Sequence, residues 1–157
     1  MSEVQTEFLF EMDVELEDNS LVIGGTPEGM RLVAYVTGGT FEGPRLRGTI
    51  PPGGGDWATI RSDGSLKADV RVCLTTHDGV NIYATYGGRI VMPPELMGVL
   101  GDREAAAATD PSKYYFRTAP MFEVASNSPY AWLNGIVAVS LGRLTRKGVA
   151  YRVFAVK

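Results

Sequence analysis

The chain has 157 residues and a formal net charge of −3, and 45% of its residues are hydrophobic and 21% charged. This composition indicates a single globular domain spanning residues 1–157, large enough to bury a core without disulfides or a structural metal. The small negative charge excludes an electrostatic basis for binding nucleic acid or an anionic membrane, and no apolar run approaches the ~20 residues that span a bilayer.

The side chains available for catalysis are restricted in kind. The chain has one histidine, His77, and one cysteine, Cys73, which excludes an internal disulfide and a zinc site of several His or Cys ligands. His77 precedes the turn signal Asp78-Gly79, which favours a solvated turn residue over a general base. No phosphate-binding loop or dinucleotide-binding glycine motif occurs. We therefore expect no metal and no cofactor. The lone cysteine and the absence of a signal-peptide pattern predict a cytoplasmic protein.

Alternation of apolar and polar residues runs through most of the chain. In EFLFEMDVELED, residues 7–18, apolar side chains alternate with acidic ones, and only Leu9 breaks the pattern. Period two over this length predicts a half-buried strand. The same pattern continues in GMRLVAYVTG, PRLRGTI, SLKADVRVCLTTHD, GVNIYATYGGRIVM, KYYFRTAPMFEVAS, GIVAVSLGRLTRKG and VAYRVFAVK. Turn residues separate these segments, and the Asp-Gly pairs among them predict antiparallel hairpins.

The segment IPPGGGDW, residues 50–57, introduces a strand with a stiff and then sharply turning loop. Two prolines restrict the backbone, and three glycines let it turn into a strand that begins at Asp56. If this strand lines a pocket, Asp56 is a candidate base and Trp57, on the opposite face, packs the pocket wall as a ligand-binding residue. The alternative is that the Asp56 side chain only caps the turn.

The strand SLKADVRVCLTTHD presents two distinct faces. The apolar face carries residues 66, 68, 70, 72 and 74, and the polar face carries Asp69 and Arg71 with Lys67 and Cys73. In a barrel the polar face can line the lumen, and Asp69 and Arg71 are then close enough to act as a base and a ligand-binding cation. The alternative places the apolar face inside and leaves these charges in solvent.

A second polar cluster comes from KYYFRTAPMFEVAS. Tyr115, Arg117 and Glu123 share one face unless Pro120 introduces a bulge. On a lumen-facing strand, Glu123 could act as a base while Arg117 and Tyr115 bind a carbonyl or phenolate group. The alternative is a surface salt bridge that adds little stability.

Aromatic residues elsewhere are further candidates for ligand contact. Tyr35, Tyr83 and Tyr86 could offer hydroxyls to a lumen, although tyrosine is also common in half-buried strands. Trp132 in YAWLNG is a candidate ligand contact, with core or rim packing as the alternative.

The order of these segments predicts a mainly β protein, a single closed antiparallel β-barrel with one or two short helices. Closure would remove the edges that such long strands otherwise expose. Helical signals are confined to PPELMGVLGDREAAAATD and SNSPYAWLNG. Strands with two partly apolar faces, such as IVAVSL, predict a homodimer.

The motifs GTPEGMR, GGTFEGPRLRG, GGGDW, IRSDGSLKADVR, TTHDG, YYFR, FEVAS and YAWLNG occur in an order that resembles the domain of unknown function 3237 family. The resemblance extends from about residue 8 to residue 156. It implies a lipocalin-like or allene-oxide-cyclase-like β-barrel with an internal pocket. For relatives with a proposed activity, it implies cyclisation of or addition to a small molecule without a redox cofactor.

Carboxylates, guanidiniums, phenols and indoles are the chemical groups that remain. They suit cofactor-free acid–base reactions on a small organic molecule in the lumen, namely isomerisation, elimination or cyclisation. Enclosure would raise the pKa of a carboxylate and make Asp56, Asp69 or Glu123 a usable base. Two alternatives remain open: a non-catalytic carrier of a hydrophobic metabolite, and a structural barrel filled by side chains.

Overall fold

The computed structural model describes residues 3–157, and within them the chain is mainly β, as the alternation predicts. Its strands are β1 Thr6–Leu16, β2 Leu21–Thr26, β3 Gly29–Glu42, β4 Arg47–Thr49, β5 Gly55–Ile60, β6 Leu66–Thr76, β7 Asn81–Val91, β8 Tyr115–Thr118, β9 Met121–Val124, β10 Ala138–Leu144 and β11 Gly148–Val156. One α-helix, α1 Arg103–Ala108, is accompanied by 3-10 helices at Pro94–Gly101, Pro111–Lys113 and Ala131–Gly135.

Antiparallel pairing connects the strands into one barrel-like sheet. The pairings run in the order β6, β5, β3, β1, β11, β10, β8 and β7, and β7 pairs again with β6. The β6–β7 pairing is the most regular, a hairpin from Leu66–Ile90 to Thr75–Asn81 around the predicted Asp78-Gly79 turn. The remaining strands pair at the margins, β2 with β3, β4 with β3 and β6, and β9 with β7.

In most strands the apolar face forms the interior, although β10 buries Ser140 and exposes Val139 and Leu141. In β6 the burial alternates without a break, so that Leu66, Ala68, Val70, Val72 and Leu74 are buried while the intervening residues up to Cys73 are exposed. This arrangement follows from the hydrophobic effect, since it removes the larger apolar area from water. This is the second of the two arrangements considered for β6, with the apolar face inside and the charges in solvent. It determines which side chains can reach an internal site.

The interior is filled by side chains at one end and contains a cavity at the other. The packed end contains aromatic rings in edge-to-face contact, with Phe10 at 5.5 Å from Phe41 and 5.9 Å from Phe122 between ring centroids. Along β1 the cavity begins only after Phe10 and Met12, at Val14 and Leu16. The side chains of the packed end therefore close the cavity on that side.

Helical segments lie over the cavity end. The 3-10 helix Pro94–Gly101 leads through Asp102, whose side chain caps α1 by accepting a hydrogen bond from the Ala105 amide at 3.1 Å. The Arg103 guanidinium donates to the backbone carbonyls of Leu16, at 3.4 Å, and Glu17. These bonds hold α1 against the β1–β2 turn. Among residues 3–157, no helix has the length and apolar character needed to cross a bilayer.

Candidate functional site

The cavity has a volume of about 140 Å³ and lies at the end of the sheet that the helical segments cover. Its walls are mostly aliphatic and come from eight strands, α1 and the 3-10 helix Pro94–Gly101. An apolar cavity of about 150 Å³ is large enough to bind benzene, so this one has room for roughly one six-membered ring. The interior is therefore not filled completely by side chains. The polar side chains that border the cavity within residues 3–157 are Ser20, Asp56, Tyr86, Arg103, Thr145 and Tyr151.

The glycine-rich loop, residues 50–55, positions Asp56 at this cavity. The loop is pinned to β3, since the Gly53 amide donates to the Val36 carbonyl at 3.0 Å and the Val36 amide donates to the Gly54 carbonyl at 3.1 Å. Gly54 has φ +76° and packs against β6, where a Cβ would stand 2.2 Å from the Arg71 carbonyl oxygen. Only glycine satisfies both conditions. The loop therefore fixes where β5 begins and which face Asp56 occupies.

The pairing of β5 directs Asp56 inward. Asp56 is opposite Val70 of β6 and Ala34 of β3, and both neighbours line the cavity. Its Oδ1 accepts a hydrogen bond from the Asp69 amide at 2.9 Å. One carboxylate oxygen is thus held by the backbone of the next strand, which orients the carboxyl group.

Burial raises the pKa of the Asp56 carboxyl to about 6. The hydrogen bond from the Asp69 amide opposes this rise, the charge of the Asp69 carboxylate adds to it, and the Arg31 guanidinium lowers it slightly. Arg31 itself donates to the Trp57 carbonyl at 2.7 Å and does not pair with Asp56. A carboxyl group that titrates near neutrality can both accept and return a proton at physiological pH.

Two tyrosines share the cavity with Asp56. Tyr86 of β7 and Tyr151 of β11 are buried, with ring centroids 5.4 Å apart in edge-to-face contact. Burial raises the pKa of both hydroxyls above the ordinary tyrosine range, and the Asp56 charge adds to the rise. Both hydroxyls therefore stay protonated and serve as hydrogen-bond donors.

These groups form an acid–base set in an apolar enclosure. Asp56 supplies a proton acceptor near its pKa, and Tyr86 and Tyr151 supply neutral donors for an oxygen that gains negative charge. Within residues 3–157, no group of three or more His, Cys, Asp and Glu side chains is arranged to hold a metal ion. The polar groups present suit a carbonyl or hydroxyl compound.

The predicted pair Asp69 and Arg71 lies outside the cavity. Both side chains are exposed on the outer face of β6, so the expectation that they face an enclosed lumen is wrong. The half-buried Trp57 is on the same outer face, with the Arg71 guanidinium 6.0 Å from its ring centroid. Asp69 acts on the site through its backbone amide, which donates to Asp56, and through its carboxylate charge, which raises the pKa of Asp56. The physical reason is that β6 turns its apolar face inward.

The second predicted cluster is also external. Tyr115, Arg117 and Glu123 share one face, as predicted, because burial alternates without interruption through Pro120. That face is the outer one, where the Arg117 guanidinium lies 5.0 Å from the Tyr115 ring centroid. Tyr83 is 38% exposed and lies opposite Glu123 in the β7–β9 pairing. The expected lumen positions of all four residues are therefore wrong.

Trp132 lies away from the cavity as well. It is half-buried against the packed end of the interior, with the Arg45 guanidinium 3.6 Å from its ring centroid. Of the residues considered as site candidates from the sequence, Asp56 and Tyr86 border the cavity within residues 3–157. The catalytic role predicted for Asp56 stays a prediction, but its position is compatible with that role.

The sequence analysis missed Tyr151 and Arg103, and it named Tyr86 without distinguishing it from Tyr35 and Tyr83. A usable signal existed for the two tyrosines: each interrupts an apolar face, Tyr86 beside Ile82 and Ala84, and Tyr151 between Val149 and Val153. A polar atom on an otherwise apolar face must find a partner or face a cavity. No local pattern marks Arg103, because its position depends on how α1 lies over the sheet.

The fold and the cavity define a mainly β protein with a barrel-like sheet around a small cavity that Asp56 and two tyrosines border. Residues 4–156 match the family described as "Protein of unknown function (DUF3237)". The chain belongs to this family, as its motif order suggested.

Solved structures show the same fold. The chain is similar to a conserved protein of unknown function from Rhodopseudomonas palustris, with a TM-score of 0.89 and 25% identity over 100% of both chains. It is also similar to a beta-barrel like protein from Acinetobacter baumannii AYE, with a TM-score of 0.83 and 34% identity over 100% of this chain and 98% of the other. An enzyme from Penicillium herquei shares the fold, with a TM-score of 0.73 and 22% identity over 100% of this chain and 97% of the other.

Proposed function

We propose that the protein binds an organic molecule of about one ring and catalyses proton transfer beside its carbonyl group, without a cofactor. The observation that supports this most directly is the Asp56 carboxyl, with a pKa of about 6, in one apolar cavity with two protonated tyrosines. The Penicillium herquei protein with this fold is described as an enzyme. That description is a precedent for catalysis on the fold and carries no substrate over to this chain.

The proposed step is an enolisation. The Asp56 carboxylate takes a proton from the carbon next to the carbonyl, and the electron pair of the broken C–H bond forms the C=C bond of an enolate. Tyr86 and Tyr151 donate hydrogen bonds to the enolate oxygen, which carries the negative charge. The Asp56 carboxylic acid then returns the proton to the same carbon, or, where the substrate is a β,γ-unsaturated ketone and the enolate is a conjugated dienolate, to the γ-carbon. Return to the γ-carbon moves the C=C bond and so isomerises the molecule.

Deuterium exchange of cyclohexanone tests the step directly. In D₂O, the protein is expected to speed the loss of the ketone's α-hydrogen signals, followed by proton NMR. Asp56→Asn is expected to reduce the protein-dependent rate by about 100-fold or more, which is the usual contribution of a positioned base. Glu123→Gln is the matched control, because Glu123 is an exposed carboxylate outside the cavity, and it is expected to keep the wild-type rate. Equal rates for wild type and Asp56→Asn would refute the role of Asp56.

The mostly apolar cavity wall favours a second candidate function, the carrier of a hydrophobic metabolite. A carrier would bind cyclohexanone without exchanging its hydrogens. Saturation-transfer NMR on the same samples separates the two functions, because it reports binding whether or not exchange occurs.

Filling the cavity is expected to abolish binding at little cost in stability. Ala68 lines the cavity on β6, so Ala68→Leu places its added atoms in empty space. Ala84 is equally buried on β7 but lies outside the cavity, so Ala84→Leu overpacks the core and is expected to lower the free energy of unfolding by about 1–3 kcal/mol. Urea denaturation and cyclohexanone binding of both variants check the expectation. A large loss of stability in Ala68→Leu would mean that the cavity cannot accept a ligand of this size.

A further inference from the structure

Arg103 is a cation at the cavity with incomplete hydrogen bonding. Its half-buried side chain borders the cavity at the end covered by α1. A guanidinium has five N–H donors, and two hydrogen bonds, to the carbonyls of Leu16 and Glu17, are formed here. Three donors therefore remain for a ligand.

No carboxylate neutralises this cation. Within residues 3–157, the salt bridges join Arg143 to Asp13, Arg146 to Glu104, Lys147 to Glu15 and Lys157 to Glu7, and none includes Arg103. The backbone carbonyls that Arg103 contacts are neutral. Because a partly desolvated charge without a counterion is unfavourable, an anion arriving from solvent would gain both charge pairing and hydrogen bonds.

Arg103 and Asp56 are separate charges in the same cavity. Of the residues lining it, Asp56 is the acidic one and Arg103 the basic one within the described chain. The charges that act on the Asp56 carboxyl come from Asp69 and Arg31, and not from Arg103. Neither group therefore neutralises the other, and each can bind a different part of one molecule. Aliphatic walls lie between them.

We propose that Arg103 binds a carboxylate of the substrate, and that the substrate is a one-ring keto acid. Its carboxylate pairs with Arg103 at the covered end, its ring fills the cavity, and its carbonyl faces Asp56 and the tyrosines. This inference rests on the proposed proton-transfer function and adds the charge of the substrate to it. The loop that holds Asp56 and the helix that holds Arg103 then fix the two ends of the same molecule.

Calorimetric titration with benzoate and benzamide tests the inference, since the two compounds share a ring and differ in charge. Wild type is expected to bind benzoate about tenfold more tightly than benzamide. Arg103→Gln is expected to remove this preference by weakening benzoate about tenfold while benzamide stays within about twofold. Arg103→Lys, which keeps the charge, is expected to retain most of the preference. Arg71→Gln is the matched control, because Arg71 is exposed outside the cavity.

Thermal denaturation of each variant establishes that it is folded, and the wild-type comparison of the two compounds needs no variant. Equal affinity of wild type for benzoate and benzamide would overturn the role of Arg103 and leave the proton-transfer proposal intact. If folded Arg103→Gln kept the wild-type preference for benzoate over benzamide, the role of Arg103 would also be overturned and the proton-transfer proposal would stand. Binding of neither compound would overturn both. Failure of cyclohexanone exchange with a preserved benzoate preference would overturn the proton-transfer step alone and confirm the anion site.

Discussion

Replacing Asp56 with asparagine is expected to stabilise the protein at about pH 8, by about 2 kcal/mol in the free energy of unfolding. The folded-state pKa of this carboxyl is about 6, against an ordinary aspartate value of 3.8. Above pH 6 the folded protein therefore holds an ionised group that burial disfavours, and the unfolded chain does not incur this cost. The full shift corresponds to about 3 kcal/mol, and we reduce it because the side chain retains some contact with water. Asparagine has no charge to desolvate and can still accept the Asp69 amide.

The effect has a definite pH window. Between about pH 4 and pH 6 the folded state binds more protons than the unfolded state at this group, so wild-type stability falls as the pH rises. Near pH 4 and below, the carboxyl is protonated in both states and the variant loses its advantage. Urea denaturation at several pH values measures the difference. Glu123→Gln, which changes an exposed carboxylate outside the cavity, is the control and is expected to stay within about 0.5 kcal/mol of wild type. Lower stability of Asp56→Asn at about pH 8 would contradict the raised pKa.

Replacing Gly54 with alanine is expected to lower the free energy of unfolding by about 3 kcal/mol or more. Alanine would be strained at φ +76°, and its Cβ would stand 2.2 Å from the Arg71 carbonyl oxygen. Because that oxygen belongs to the backbone of β6, it cannot move aside without disturbing the sheet. The loop is instead expected to shift and carry Asp56 away from its bond to the Asp69 amide. Urea denaturation and cyclohexanone exchange are both expected to report the change.

Gly79→Ala is the matched control for backbone strain. Gly79 has φ +86°, close to that of Gly54, but no atom lies within 4 Å of its added Cβ. Gly79→Ala is therefore expected to lower the free energy of unfolding by the backbone strain alone, about 1 kcal/mol. The rate of cyclohexanone exchange is expected to stay unchanged. Equal losses in the two variants would mean that the close approach of the loop to β6 does not matter for stability.

The candidate site shows how far the residue pattern could be used for prediction. The loop IPPGGGDW identified Asp56 from local features, since two prolines followed by glycines fix the start of β5. The pattern of β6 was ambiguous, because period two produces two faces and does not state which one is internal. Choosing the polar face placed Asp69 and Arg71 in the lumen. The same ambiguity left Tyr83 and Tyr86 as equal candidates, although they lie on opposite faces of β7 and only Tyr86 is buried.

The sequence by itself determined most of the strands, their hairpin turns, the family and the exclusion of an internal disulfide and of a zinc site with several His or Cys ligands, because these depend on local spacing and on residue counts. The tertiary structure decided that the apolar faces turn inward, since only a sheet curved around its own interior makes one face inaccessible to water. It also brought Tyr151 of the last strand beside Tyr86 of β7 and placed Arg103 over the cavity. These three residues are far apart along the chain, and only non-local strand pairing and helix packing bring them to one site.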